Sequence, residues 1–166
     1  MIEKWTERHT AAECIALPSA QAVRLPENTG FDEGACLGIP ALTALHALLT
    51  DGGVSGRRVL VTGAGGTIGS ELARQVAALG PERLTLLDNG EYALWQIDTE
   101  LAESHPDVPR RPVIASIRDE ARIRAVMEEC RPELVFHAAA LKHVPMVEAN
   151  PLEGLLTNAC GTRHVA

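Results

Sequence analysis

The sequence lacks the cysteine spacing of a metal site or a disulfide framework. Its 166 residues include only 4 cysteines, and none of them forms a C-x-x-C pair or stands beside a histidine cluster. Zinc sites and small disulfide-bonded domains need such patterns. We therefore expect no metal and interpret the four as scattered intracellular thiols: Cys14, Cys36, Cys130 and Cys160.

Long apolar runs are absent as well. The longest uncharged run, residues 35–50, is shorter than the roughly 20 residues that a membrane helix needs, and it contains His46. Residues 1–10 are charged and lack the apolar stretch of a secretory signal. The sequence thus predicts no membrane segment in this chain and a cytoplasmic location.

An excess of positive charge is also missing. The formal net charge is -7, so nucleic acids and anionic membranes would be repelled at long range. The length suits one domain that buries roughly 70% of its unfolded surface. Small soluble molecules are the expected partners, and no nucleic acid is expected.

The chain divides into three parts by texture. Residues 1–37 are short apolar runs broken by proline and glycine, with brief strands predicted over 14–17 and 22–25. Residues 38–56 predict a helix that starts near Pro40 and a glycine-rich linker. Residues 57–166 form the third part, in which strands alternate with helices.

Hydrophobic periodicity predicts four strands and three helices in that third part. The strands are predicted over 59–62, 84–87, 112–115 and 134–137, and the helices over 67–79, 91–104 and 119–129. Strands that alternate with helices at this spacing form right-handed βαβ units on a parallel sheet.

A glycine cluster lies between the first predicted strand and the first predicted helix. Gly63, Gly66 and Gly69 form G-x-x-G-x-x-G, with Gly65 in addition. This context is typical of a dinucleotide site, where glycines allow a tight turn, close approach of a pyrophosphate and helix packing. Thr67 and Ile68 then fall in the first helical turn. The alternative is a glycine-rich turn without a ligand.

An acidic residue follows at the end of the second strand. Asp88 stands 19 residues after Gly69, where a carboxylate can accept hydrogen bonds from the adenosine ribose. The segment Asp88-Asn89-Gly90 is also a strong turn signal, and the two interpretations are compatible. No Arg or Lys lies between Asp88 and Arg110, which favours NAD over NADP.

Residues 57–166 resemble the extended short-chain dehydrogenases/reductases, in particular the CapD-type nucleotide-sugar 4,6-dehydratases and epimerases of polysaccharide biosynthesis. The segments that carry the likeness are "VLVTGAGGTIGSELARQ", "LTLLDNGEYALWQI", "PELVFHAAALKHVP" and "TNACGT". The resemblance implies a partial Rossmann fold: an open parallel sheet of about four strands, in the order 3-2-1-4, with helices on both faces. A small irregular N-terminal extension would precede it.

The resemblance also implies a set of site residues. The glycine loop would hold the pyrophosphate of NAD and Asp88 would bind its ribose. Asn158 would support the site, although a helix surface amide is an equally good interpretation of it. The full cofactor set is Gly63, Gly65, Gly66, Thr67, Ile68, Gly69, Asp88, Asn89, Ser116, Ile117, Ala138, Ala139 and Ala140. Lys142 and His143 would face a nucleotide-sugar substrate, although a solvated loop is an equally good interpretation of that pair.

The third strand departs from the family pattern. The family ends this strand with G-D-I-R-D, whose aspartate recognises the adenine edge, whereas this chain has Ala115-Ser116-Ile117-Arg118-Asp119. Ser116 offers only a hydroxyl there. Asp119 is expected to cap the following helix.

The family's catalytic pair is missing. Its Tyr-x-x-x-Lys lies after a fifth strand, but Gln96 is the residue four after Tyr92, the single tyrosine, and the lysines are Lys4 and Lys142. We expect the chain to end before the fifth strand and the sugar-binding lobe. It would then hold no catalytic residues, and an uncovered sheet edge would favour self-association.

Residues 9–56 resemble a different family, the zinc-free medium-chain quinone oxidoreductases. The likeness rests on the pattern "LP...F.EGA.LGIP..TA..AL" before the glycine linker. Together the two resemblances suggest a natural or engineered fusion, or a mis-joined gene. Three functions stay open: the cofactor part of a sugar-nucleotide dehydratase or epimerase, a non-catalytic nucleotide-binding fragment, and an NADPH-dependent quinone oxidoreductase relative.

Overall fold

The computed structural model of the protein describes residue 48 and residues 53–166. The strands predicted over 14–17 and 22–25 and the resemblance of residues 9–56 lie outside the described residues. Within the predicted helix of residues 38–56, Leu48 is helical and buried.

Four strands and six α-helices make up the described part, with one π-helical segment near its end. The strands are β1 (Arg58–Thr62), β2 (Arg83–Asp88), β3 (Arg110–Ile114) and β4 (Leu134–His137). The longer helices are α1 (Thr67–Ala78), α2 (Glu91–Ser104) and α3 (Glu120–Cys130). After β4 come α4 (Val144–Ala149), α5 (Pro151–Gly154), the π-helical segment Leu155–Gly161 and α6 (Thr162–Val165).

The sheet is parallel, with the order β3-β2-β1-β4. In its register Leu60 pairs with Thr85 on one side and with Val135 on the other. The predicted open sheet and its order 3-2-1-4 are confirmed.

Helices cover both faces of the sheet, because β-strand side chains alternate between the faces. On one face, β1, β2 and β4 pack against the apolar sides of α1 and α2, where Val76 and Leu101 are fully buried. On the other face, Leu60 and Leu87 pack with residues of α3 and α6. This two-sided core fixes the carboxyl ends of the strands at one edge.

The start of α3 agrees with the sequence-based prediction, and the start of β3 does not. Asp119 is the N-cap of α3, and its side chain accepts a hydrogen bond from the backbone N–H of Arg122 at 3.0 Å, so the predicted cap is confirmed. Strand β3 instead begins at Arg110, earlier than predicted.

No helix among the described residues is long and apolar enough to span a membrane. Self-association through the sheet edge stays a prediction.

Candidate functional site

The site lies where the sheet order reverses, between the carboxyl ends of β1 and β4. The strand ladder continues into both loops, since Ala138 N–H donates to Thr62 O and Ala64 N–H donates to Leu87 O, each at 3.1 Å. Crevices at such reversals are the usual ligand sites of open α/β sheets. The topology therefore brings the glycine loop beside the segment that follows β4.

The glycine loop is packed too closely for side chains. A Cβ on Gly63 would lie 2.7 Å from Ala139 N, and one on Gly65 would lie 2.6 Å from Ala93 Cβ. A Cβ on Gly69 would lie 1.9 Å from the carbonyl oxygen of Gly63. Gly63 also has a positive φ of 66°, which favours glycine. These contacts explain why the glycines are needed for the shape of the loop.

The N-terminus of α1 opens at this loop. Gly66 is its N-cap; no described side chain caps it, and the first turn contains no acidic residue. The first N–H groups of a helix have no intrahelical partner, so they favour an anion. Thr67 is exposed and Ile68 is partly buried against the core, while Gly69 packs under the loop.

Asp88 ties the end of β2 to the glycine loop. Its Oδ2 accepts a hydrogen bond from the Gly65 N–H at 2.8 Å, and its Oδ1 accepts one from the Gly90 N–H at 2.8 Å. Each carboxylate oxygen has a second lone pair left for a ligand. The turn interpretation of Asp88 is therefore correct, and it is compatible with ribose binding.

These elements enclose a cleft of about 480 Å³, which is in the range of small-molecule sites. Ten of the predicted cofactor residues line it: Gly63, Gly65, Gly66, Asp88, Asn89, Ser116, Ile117, Ala138, Ala139 and Ala140. Thr67, Ile68 and Gly69 lie behind the loop in α1. Sequence reasoning missed other lining residues, namely Leu87, Ala93, Ala115, Arg118, Leu141, Glu153 and Thr157.

The matching family has the description "Polysaccharide biosynthesis protein", and its match covers residues 59–166. This chain belongs to that family. A capsular polysaccharide biosynthesis protein, CapD, of Staphylococcus aureus is 44% identical over 114 residues, which are 68% of this chain and 19% of CapD. An inverting UDP-N-acetylglucosamine 4,6-dehydratase of Campylobacter jejuni is 30% identical over 110 residues, 66% of this chain and 31% of that enzyme. The chain thus spans about a fifth of the first relative and about a third of the second.

A solved structure gives a similar picture of the fold. The crystal structure of UDP-glucose-4-epimerase from Stenotrophomonas maltophila, with bound NAD and formylated UDP-arabinopyranose, superposes with a TM-score of 0.56 at 29% identity. The superposition covers 66% of this chain and 32% of the epimerase.

The two residues predicted to face the substrate do not line the cleft. Lys142 and His143 are exposed, and His143 is the N-cap of α4. The preceding residue, Leu141, does line the cleft. Asn158 holds it there, because its amide donates to Leu141 O and its carbonyl oxygen accepts from Leu141 N–H, both at 2.8 Å.

The single tyrosine also lies away from the cleft. Tyr92 is 67% exposed on α2, and its ring contacts Trp95 with a centroid separation of 5.9 Å. Neither ring contributes to the cleft lining.

A histidine that sequence reasoning missed links three elements around the cleft. His137 Nδ1 lies 2.6 Å from the Thr62 hydroxyl, and Nε2 lies 3.0 Å from the Thr162 hydroxyl. The Thr162 hydroxyl donates its one proton to Asn158 O at 2.7 Å. His137 Nε2–H therefore donates to Thr162, and in the neutral ring Nδ1 accepts from the Thr62 hydroxyl.

Burial lowers the pKa of His137 below its ordinary value of 6.5. Because the unfolded chain then binds a proton more readily than the folded one, the free energy of unfolding should fall as the pH drops below about 6.5 and level off below the folded pKa. Urea unfolding of the wild type and His137→Gln across this range tests this. The variant should lose that part of the pH dependence, whereas the exposed-site control His143→Gln should keep it. An unchanged profile in His137→Gln would contradict the assignment.

Proposed function

We propose that this chain is the NAD-binding part of a nucleotide-sugar 4,6-dehydratase or epimerase of polysaccharide biosynthesis. One observation supports this most directly: the glycine loop, the uncapped N-terminus of α1 and the Asp88 carboxylate all lie at the same cleft. The names of the relatives, a UDP-sugar dehydratase and an NAD-bound UDP-sugar epimerase, support the same class.

The residues present fit a dinucleotide. Gly63, Gly65 and Gly66 line the cleft beside the N-terminus of α1, where N–H groups and the helix dipole would favour the pyrophosphate. Asp88 would accept hydrogen bonds from the adenosine ribose, with Asn89 beside it. Ser116 and Ile117 would line the base side, and the backbone of Ala138 to Ala140 would lie along the other wall. Bound NAD would supply the hydride acceptor for sugar oxidation.

Asp88 also supports NAD over NADP. A 2'-phosphate on the ribose would meet its carboxylate, and like charges at close range repel. Arg118 is the one cationic side chain among the described residues that line the cleft. Its guanidinium is already paired with Glu153 at 2.5 Å, so a phosphate would have to compete with that carboxylate.

We propose that the described residues bind the cofactor and do not themselves transfer protons. The family resemblance implies that proton transfer needs a Tyr-x-x-x-Lys pair. Here Tyr92 is exposed outside the cleft, and the residue four positions after it is Gln96. Lys142, the one lysine among the described residues, is exposed and does not line the cleft. We therefore expect nucleotide binding without turnover of a UDP-sugar.

Calorimetric titration of the purified chain tests the proposal. NAD should bind with one site per chain, and NADP should bind at least tenfold more weakly, a difference of about 1.4 kcal/mol. Absence of NAD binding at about 1 mM would overturn the proposal. Incubation with NAD and UDP-N-acetylglucosamine should give no product. NADPH-dependent reduction of a quinone would instead support the quinone oxidoreductase alternative.

A further inference from the structure

An ion pair joins two walls of the cleft that are far apart in the chain. Arg118 lies in the loop after β3, and Glu153 lies on α5, 35 residues later. Both line the cleft, and their side chains meet at 2.5 Å. We propose that this pair, the Arg118–Glu153 strap, controls how long the nucleotide stays bound. The inference rests on the proposed cofactor cleft.

The loop that carries Arg118 is held firmly at its base. Ile117 O is 2.9 Å from His164 Nδ1 on α6. The side chain of Ile117 packs where a Cβ on Gly161 would sit, 2.6 Å away, so the π-helical segment approaches the loop closely. Ser116 Oγ accepts a 3.3 Å hydrogen bond from Arg118 N–H. The backbone is thus anchored, and the guanidinium is the part of the loop that is free to change partner.

Glu153 is placed by a second set of contacts. Its backbone N–H donates to Asn150 O at 3.1 Å at the start of α5. The next residue, Gly154, is buried, and a Cβ there would lie 2.5 Å from Val147 Cγ1 of α4. Helices α4 and α5 therefore pack tightly. The backbone of α5 thus places the Glu153 side chain within reach of Arg118.

The exposure of the pair suits a strap that opens. The side chains of Arg118 and Glu153 are 37% and 49% exposed, and solvent-exposed ion pairs contribute little stability because water competes for both partners. Such a pair can break and reform without disturbing the core. Because both partners line the cleft, the closed strap borders the space of a bound nucleotide, and we expect the nucleotide to leave faster when the pair is open.

The test is stopped-flow measurement of NADH binding by its fluorescence, with the wild type, Arg118→Gln, Glu153→Gln and the double variant. Each single variant should release NADH about two- to fivefold faster, the range that exposed ion pairs span. The double variant should be no faster than the singles, because both substitutions break one interaction. High salt should accelerate release from the wild type more than from the variants, since it screens the pair.

Controls separate the strap from a general loss of charge or folding. Arg124→Gln breaks the exposed Arg124–Glu120 pair on α3, outside the cleft lining, and should leave the release rate unchanged. The exchanged pair Arg118→Glu with Glu153→Arg should restore slow release. Unchanged release rates in both single variants would overturn the strap alone. Failure of the wild type to bind NADH would overturn the proposed function and the strap with it.

Discussion

Gly69→Ala should lower the free energy of unfolding by about 3 kcal/mol, the upper end of the range for an overpacked site. The added Cβ would lie 1.9 Å from Gly63 O and 2.6 Å from Gly63 C, and these are backbone atoms that cannot rotate away. Gly63 O also accepts the Gly66 N–H at 2.9 Å. The loop must therefore shift as a whole, and we expect NAD binding to be lost with it.

Urea unfolding and calorimetry measure the two effects. Ser70→Ala is the matched control, since it alters the next residue of α1, whose hydroxyl makes a 3.3 Å hydrogen bond to Thr67 O. The control should stay within about 0.5 kcal/mol of the wild type and keep its NAD affinity. A Gly69→Ala variant that matches this control would show that the loop does not depend on the close contact.

The sheet was predictable because its signals are local. Buried parallel strands are apolar runs, and each of the first three helices repeats apolar residues at helical spacing, so element type and order follow from the sequence. The start of β3 was not predicted because Arg110 and Arg111 are charged and interrupt the apolar pattern of a buried strand. They occupy an edge strand, where Arg110 pairs with Asp98 and Arg111 with Glu129. An edge strand tolerates such charged side chains, and their presence removes the apolar signal from which a strand is predicted.

The candidate site was predictable only in part. Residues of the glycine loop and Asp88 belong to one motif with fixed spacing. Arg118 and Glu153 are 35 positions apart in the sequence and meet because α5 packs beside the loop after β3. Hydrophobic periodicity carries no information about such a contact. The same holds for His137, whose partners Thr62 and Thr162 lie 75 and 25 positions away. The role of Lys142 and His143 stays a prediction.

Asp88→Asn should weaken NAD binding about ten- to hundredfold, the range for losing a hydrogen bond to a charged group. An amide can present one acceptor, but its NH₂ would face a second backbone donor, whereas the carboxylate of Asp88 accepts from both Gly65 and Gly90 at 2.8 Å. One of these N–H groups would lose its partner, and the side-chain link between the end of β2 and the loop would weaken, although the backbone bond from Ala64 N–H to Leu87 O would stay. The exposed Asp107→Asn, outside the cleft lining, should leave NAD affinity unchanged.

Comparing the affinities for NAD and NADP distinguishes two roles of Asp88. If the carboxylate only holds the glycine loop, Asp88→Asn should weaken NAD and NADP by the same factor. If it also binds the ribose, NAD loses a direct contact while NADP escapes a repulsion, so the ratio of the two affinities should shrink by about tenfold or more. Calorimetric titration of both cofactors into both proteins measures that ratio. We expect it to shrink, because Asp88 lines the cleft and each of its oxygens, with one backbone donor, keeps a second acceptor site.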